Sequence, residues 1–389
     1  MPPKKGKKAE PTERPHLGRF KNNLKMGLVG LPNVGKSSLF NLLCKMQVLA
    51  ANYPFATIEP TEARAIVPDD RYNKLCEIYK PKSEVPAFFT VTDIAGLVKG
   101  AADGAGLGNA FLSNISAVDG IFNVVRAFED EEVSHVDGEV DPVRDMATIA
   151  EELRAKDLQN VVTALSKFRQ GSISSNKEVA AQHEFLTKVK AVLEEDKNVR
   201  HVDWTGKEVE ALRPLNLLTA KPVIYLVNLS ETDYIRQKNK HLKRIKEWID
   251  ANSPGDPILP VSIAFEQDVV DGNVDEEKAK KSAIGKIIVS GYRHLHLISF
   301  FTCGADEVRQ WTIRDGFTAP EAAGTIHNDF RENFIQAEVL PYADWEANKC
   351  SESEAKSNGK LKMCGKTYIV ADGDICHFKI GQSGAGKKK

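Results

Sequence analysis

The chain lacks any run of about 18 apolar residues, the length a helix needs to cross a bilayer, and its first residues hold no apolar signal core. That reading excludes a helical membrane span and an export signal. Paired cysteines are also missing. Cys44, Cys76, Cys303, Cys350, Cys364 and Cys376 are scattered, none forms C-x-x-C, and no histidines stand beside them to complete a zinc site. In a chain of 389 residues they read as reduced thiols. Net charge is nearly absent as well: 53 basic against 54 acidic side chains leave −1, so bulk charge does not mark a nucleic-acid binder. A protein of the cytoplasm is expected, with nuclear entry left open.

Charge is uneven locally. Lys4, Lys5, Lys7 and Lys8 open the chain, and Lys387, Lys388 and Lys389 close it. These runs either steer the protein toward polyanions or serve as solvated tails. With Pro2, Pro3, Pro11 and Pro15 among polar neighbours, residues 1–20 read as a disordered basic tail, and 385–389 as a second one.

The most specific feature is Gly30-Leu31-Pro32-Asn33-Val34-Gly35-Lys36-Ser37-Ser38, which fits G-x-x-x-x-G-K-[ST]. A short apolar strand run precedes it, and Ser38-Leu39-Phe40-Asn41-Leu42-Leu43 opens a helix. In that context the backbone N–H groups of Asn33, Val34, Gly35, Lys36, Ser37 and Ser38 cradle phosphates at a helix N-terminus. Lys36 reaches the β- and γ-phosphates, and the Ser37 hydroxyl ligates Mg²⁺.

Apolar β-type runs at 86–92, 120–126, 222–228 and 258–262 alternate with helical runs. They predict an α/β fold, a doubly wound, mostly parallel sheet whose ligands bind beyond the strands' carboxyl ends. Between 142 and 215 strand runs give way to two apolar stripes, Ile149 to Phe168 and Phe185 to Leu193, around the polar break at 171–176. That pattern predicts an inserted helical hairpin, of coiled-coil character, because the strand ending at Asn228 follows it. From about 300 a small α+β domain is expected. Its strands would lie at 298–302 and 312–313, a helix would start near Pro320, and two strands, 366–370 and 374–380, would flank an Asp372-Gly373 turn. The expected division is therefore 21–141 with 216–300, 142–215, and 301–384.

Hydrolysis needs more than one loop. Asp93-Ile94-Ala95-Gly96 follows a strand; Asp93 would hold Mg²⁺ through its waters and Gly96 N–H would sense the γ-phosphate. Thr57 is placed to give Mg²⁺ a second hydroxyl. Here too an absence is informative. Many switch enzymes carry a glutamine directly after this motif to orient the attacking water, whereas this chain has Leu97, which has no hydrogen-bonding group. Slow intrinsic turnover follows, and His135 is the candidate for orienting water, its alternative being an ordinary surface-loop histidine. Gly100, Gly104, Gly106 and Gly108 then make the next segment backbone-permissive, the signature of a switch loop.

The base motif lacks its usual lysine and aspartate. Asn228-Leu229-Ser230-Glu231 stands where guanine-specific enzymes carry Asn-Lys-x-Asp. Adenine presents the opposite donor–acceptor pattern to guanine, and mispaired polar groups discriminate strongly. ATP is expected over GTP, with GTP retaining weaker access. Ser262-Ile263-Ala264 would complete the pocket through backbone N–H groups.

On these motifs the chain resembles the Obg-like ATPases, the YchF subfamily of translation-factor-related P-loop proteins, over residues 21–384. The resemblance implies a nucleotide domain, a helical insertion and a C-terminal TGS domain of β-grasp type. It implies ATP hydrolysis with Mg²⁺ and weaker GTP use, association with the ribosome or ribosomal RNA, and a hydrolytic role for the histidine matching His135. A slow ATP-driven switch in translation or stress regulation is the leading expectation, acting as a monomer and leaving room for an activating protein. The alternative is an RNA- or ribosome-binding adaptor with incidental turnover.

Overall fold

The computed structural model describes residues 17–19, 21, 23–49, 61–94, 107–135, 138–169, 171, 173 and 176–381. The first sheet has the order β2-β4-β1-β5-β6-β7. Its strands are β1 (Lys25–Val29), β2 (Glu62–Ile66), β4 (Phe88–Asp93), β5 (Gly120–Arg126), β6 (Val223–Asn228) and β7 (Ile258–Val261). All neighbours run parallel except β2, which lies antiparallel along β4. Burial explains the sequence pattern. Every residue of β5 and β6 is buried, so these strands read as continuous apolar runs, while edge strand β2 alternates buried and accessible positions. Because β1 is flanked by β4 on one side and β5 on the other, the strand order reverses at its carboxyl end, where such sheets form a crevice.

Helices α1 (Lys36–Leu49), α2 (Asp70–Tyr79) and α3 (Leu107–Ala117) belong to this half of the chain. Asp69 caps α2 by accepting the Arg71 N–H, and Lys80 ends it in the left-handed conformation at φ 46°.

Helices α4 (Pro142–Leu165), α5 (Lys177–Glu194) and the short α6 (Gly206–Leu212) fall in the stretch where a helical pair was expected. Among the described residues, those from Leu153 to Lys221, with 17–19, form one compact unit, and those up to Glu152 with those from Pro222 onward form the other. Within the helical unit Val161, Leu186, Val189, Leu193, Val199, Leu212 and Leu217 share a core. Among its described residues one carboxylate, Asp157, is fully buried; burial pushes it up to about 6, and it accepts hydrogen bonds from Leu218 N–H, Thr219 N–H and Thr219 Oγ1.

The second sheet has the order β11-β10-β12-β8-β9-β3. It contains β8 (Leu297–Cys303), β9 (Glu307–Arg314), β10 (Phe334–Pro341), β11 (Lys362–Cys364) and β12 (Asp374–Ile380), joined by β3 (Ser83–Val85) from the first half of the chain. Pairs β8–β9 and β10–β12 are antiparallel hairpin-like halves, bridged at the centre by the single parallel pairing of Phe301 with Ile375. Helix α10 (Ala319–Ile326) covers one face over Phe300, Ile313, Ala337, Val339 and Phe378, with Pro320 in its first turn. Two expectations fail here. Residues 366–370 make no strand beyond an isolated pairing of Ile369 with Thr318, and Asp372-Gly373 closes no hairpin with them. Instead Gly373 donates its N–H to Ser299 O and Asp372 accepts from Ser299 N–H, which docks the turn on β8 and leaves β12 to pair with β10. The other surprise is β3, a three-residue polar segment that pairs with β9 as the edge strand.

No described helix is long and apolar enough to cross a membrane.

Candidate functional site

The phosphate loop runs from the carboxyl end of β1 into α1. Two of its residues take conformations that the sequence has to supply: Asn33 at φ 60° and Gly35 at φ 105°. At Gly35 a side chain is also sterically excluded, since a Cβ would stand 2.7 Å from both Asn228 Nδ2 and Ile263 Cδ1. A Cβ at Gly30 would lie 2.5 Å from the Val124 carbonyl oxygen. The loop is therefore pressed against β5, β6 and the helix that follows β7.

Lys36 and Ser37 are the first two residues of α1, so a phosphate in this loop would meet the helix N-terminus. The Lys36 side chain is 6% exposed, and its Nζ donates to Leu31 O at 2.7 Å. Burial lowers its pKa to about 8, with Asp93 opposing the shift. Ser37 Oγ donates to Asp93 Oδ2 at 3.2 Å. Asp93 is itself raised by burial, with Ser37 and Lys36 pulling the other way. Its second oxygen, Oδ1, is buried and has no hydrogen-bond partner among the described residues. Such an atom is costly unless something pairs with it. An orphaned carboxylate oxygen beside a serine hydroxyl is an oxygen donor set of the kind Mg²⁺ takes, so the residues present fit that ion. Thr57, the third expected donor, lies outside the described residues, as do Gly96, Leu97, Gly100, Gly104 and Gly106, whereas Gly108, expected in the same loop, falls in the first turn of α3.

The segment expected at the base does something more local. Asn228, 4% exposed, donates from Nδ2 to Val34 O at 3.0 Å and accepts the Ile263 N–H at 3.2 Å. It ties the phosphate loop to the start of α9 (Ile263–Asp271), the helix after β7, α7 (Glu231–Arg236) and α8 (Leu242–Asn252) having come before it. Leu229 is 2% exposed, its N–H donated to Val261 O. Ser230 caps α7 by accepting the Asp233 N–H, and Ser262 caps α9 by accepting that of Phe265. Glu231 is exposed at the first turn of α7.

His135 sits in the loop after β5. Its side chain is 2% exposed, and Nε2 lies 2.9 Å from Asp145 Oδ2. Arg144 Nη2 stands 3.4 Å from the other ring nitrogen. The neighbouring Ser134 carbonyl accepts from Asn33 Nδ2 at 3.1 Å, so the histidine loop is attached directly to the phosphate loop.

Two residues of this site escape sequence reading. Arg126 ends β5, is 1% exposed, and points its guanidinium at the carbonyl oxygens of Phe128, Asp130, Val133 and Ser134 while stacking on the Phe128 ring. It shapes the entire loop that carries His135. The available signal was a charged residue ending an otherwise apolar strand. Asp145, the partner of His135, gives no such signal, because an acidic residue early in a helix is ordinary.

The family MMR_HSR1, described as 50S ribosome-binding GTPase, matches residues 25–167, and YchF-GTPase_C, described as a protein of unknown function, matches 297–381. Obg-like ATPase 1 of Oryza sativa subsp. japonica is 53% identical over 396 residues, with all of both chains covered. Obg-like ATPase 1 of Danio rerio is 51% identical over 399 residues, again with both chains fully covered. The solved structure of the Schizosaccharomyces pombe YchF GTPase is 50% identical and superimposes with a TM-score of 0.84, over 94% of this chain and 100% of that one.

Proposed function

Because the chain belongs to the Obg-like ATPase family of P-loop proteins, the YchF group, we propose that it binds ATP with Mg²⁺ and hydrolyses it slowly to ADP and phosphate, with GTP a weaker substrate. The observation that carries this reading is the convergence of Lys36, Ser37 and the unpartnered Asp93 oxygen at the carboxyl ends of β1 and β4. Among the described residues Lys36 is a buried cation hydrogen-bonded only to a carbonyl, so a β- or γ-phosphate is a better partner than the one it has. Ser37 and Asp93, with Thr57, would hold Mg²⁺, which supplies charge neutralisation between the β- and γ-phosphates. Asn228 keeps the loop closed on the α9 terminus, and the departure of Leu229 and Glu231 from the guanine pattern favours adenine.

His135 is the proposed water-orienting residue. Its ring is engaged by Asp145, so it acts only after leaving that contact, in keeping with slow basal turnover. As a switch, the protein would order the segments around Thr57 and Gly96 on ATP and release them afterwards. Association with the ribosome in the cytoplasm, as a monomer, is the matching proposal for its setting. The family description of the nucleotide domain and the basic runs at both ends support it.

The test is nucleotide titration and phosphate release with ATP and GTP, with and without Mg²⁺, for the parent protein and His135→Ala. Tighter ATP binding, Mg²⁺-dependent release, and lost turnover with retained binding in the variant are expected. A clear GTP preference, or a variant that turns over normally, would refute the corresponding part.

A further inference from the structure

We propose that the C-terminal domain is mechanically coupled to the two strands that carry the switch segments, through residues 69–87, so that nucleotide at the phosphate loop and the second sheet bias one another. The inference rests on the nucleotide-binding reading above.

Strand β4 ends in Asp93, and its antiparallel neighbour β2 begins at Glu62, just past the segment that contains Thr57. The connection between these two strands is not a surface loop. Helix α2 sends Tyr72, Leu75 and Cys76 into the core formed by Phe301, Val308, Leu340, Trp345 and Ile375 of the C-terminal domain. Strand β3 then pairs with β9 at three positions, Ser83 with Glu307, Glu84 with Val308 and Val85 with Arg309. Lys82 N–H donates to Ala305 O and its ammonium pairs with Asp306. The piece of chain between the switch strands is thus built into the second sheet as its edge strand and covering helix.

At the neck, where β2 and β4 leave for this excursion, the link is polar, buried around Gln310 and exposed where Arg71 meets Asp372. Val67 N–H donates to Ala87 O at 2.9 Å, and Ala87 N–H donates to Gln310 Oε1 at 3.2 Å. Gln310, 3% exposed, donates in turn to Ser299 Oγ at 3.0 Å and Asp69 Oδ2 at 3.4 Å. Asp69 accepts from the Arg71 guanidinium, which reaches on to both oxygens of Asp372 at 3.0 and 3.2 Å. Asp372 closes the circuit through Ser299 N–H. Apolar packing tolerates small slides, whereas a closed polar network holds one arrangement until a bond breaks. Room for a second arrangement exists beside it. A cavity of about 600 Å³ is lined by Asp69, Arg71, Tyr292, Arg293, Ser299 and Asp372, among others. A shift of β2 and β4 on nucleotide exchange would be passed to β8 and β9 through Gln310 and Arg71, and the coupling is reciprocal.

The experiment is amide hydrogen exchange on the full chain with Mg²⁺ plus ATP, Mg²⁺ plus ADP, and no nucleotide. It uses the parent protein, Gln310→Leu and the milder Asp372→Asn, with nucleotide affinity measured alongside. Exchange within β8, β9 and β3 is expected to differ by about fivefold or more between ATP and ADP in the parent. The difference should vanish in both variants while ATP affinity stays within about twofold. If ATP binds and protects the phosphate loop but β8, β9 and β3 exchange alike in every state, the coupling is refuted and the nucleotide reading stands. If ATP protects nothing, the nucleotide reading itself fails. A nucleotide-dependent difference that persists in a folded Asp372→Asn overturns the assigned route.

Discussion

Both sheets have six strands, and both surround charged residues, but they use charge in opposite ways. At the ends of β1, β4 and β5 the charges attract one another without forming an ion pair among the described residues: Asp93 favours the charged form of Lys36, and Asp130 and Asp145 favour that of Arg126. Lys36 is bonded to a carbonyl, Asp93 Oδ1 to nothing described, and Arg126 to four carbonyls. In and around the second sheet the charges are matched: Arg71 with Asp69 and Asp372, Lys74 with Glu346, Lys82 with Asp306, Lys379 with Glu338. Burying a charge without an ion pair costs stability, and a ligand that completed it would offset that cost. Matched pairs instead fix one piece of protein to another. Buried Lys36 and paired Arg71 thus contrast a cation proposed to bind phosphate with a cation that ties two segments together.

Substitution at those two positions should separate the roles most sharply. Lys36→Ala should lower turnover by about 10²–10³-fold, the scale of losing one preorganised charge at a reacting phosphoryl group. Its melting temperature without nucleotide should hold or rise slightly, because a buried charge has been removed. Arg71→Ala should do the reverse, costing about 2 kcal/mol for its charge-assisted hydrogen bonds while chemistry at the phosphate loop survives. Phosphate release and thermal melting on both variants decide the matter. Lost turnover in Arg71→Ala at unchanged melting temperature would break the contrast.

Arg126 tests whether a buried charge near the site that makes no ion pair among the described residues must always touch the ligand. It holds the 128–135 loop by four carbonyls, so Arg126→Leu should loosen His135 without altering the phosphate cradle. Misplacing a catalytic group by about an ångström costs as much as about 10²-fold, and a loop that samples its old position part of the time should lose about tenfold. ATP affinity should change by less than about threefold on the same reasoning. An equal loss in binding and turnover would place Arg126 at the nucleotide instead.

The contrast also explains what could be read from the sequence. The phosphate loop is local: Gly30, Lys36 and Ser37 lie within one turn and one helical start. The flanking β5 and β6 announce themselves because parallel strands buried on both faces are continuously apolar. The parallel sheet and its crevice follow from such signals. The second sheet is assembled from contacts distant in sequence, which periodicity cannot report. Ser83-Glu84-Val85 has no strand signature; it becomes a strand because β9, more than 200 residues later, offers it an edge. Residues 366–370 have the strand composition but lose the pairing, since the Asp372-Gly373 turn is taken by Ser299. The Asp145 contact of His135 is invisible for the same reason, a side-chain meeting decided by how α4 starts.

The remaining expected effect concerns protons. Burial lowers Lys36 from its ordinary 10.5 to about 8, so the group works against the folded state while charged, and that penalty fades as pH rises through this range. Phosphate binding has the opposite sign, because a triphosphate favours the ammonium form. Below about pH 8 the cation is already present; above it, binding must take up a proton. ATP affinity should therefore fall as pH rises from 8 to 9.5, approaching tenfold per unit at the limit and less near the midpoint. Lys36→Met should bind more weakly and lose the slope, whereas Arg71→Lys should keep it. Titration calorimetry in two buffers of different ionisation enthalpy, at pH 7.5, 8.5 and 9.5, reads the proton uptake directly. A flat profile in the parent protein would mean that Lys36 does not change its charge environment on binding, and the distinction between its charge and that of Arg71 would lose its physical basis.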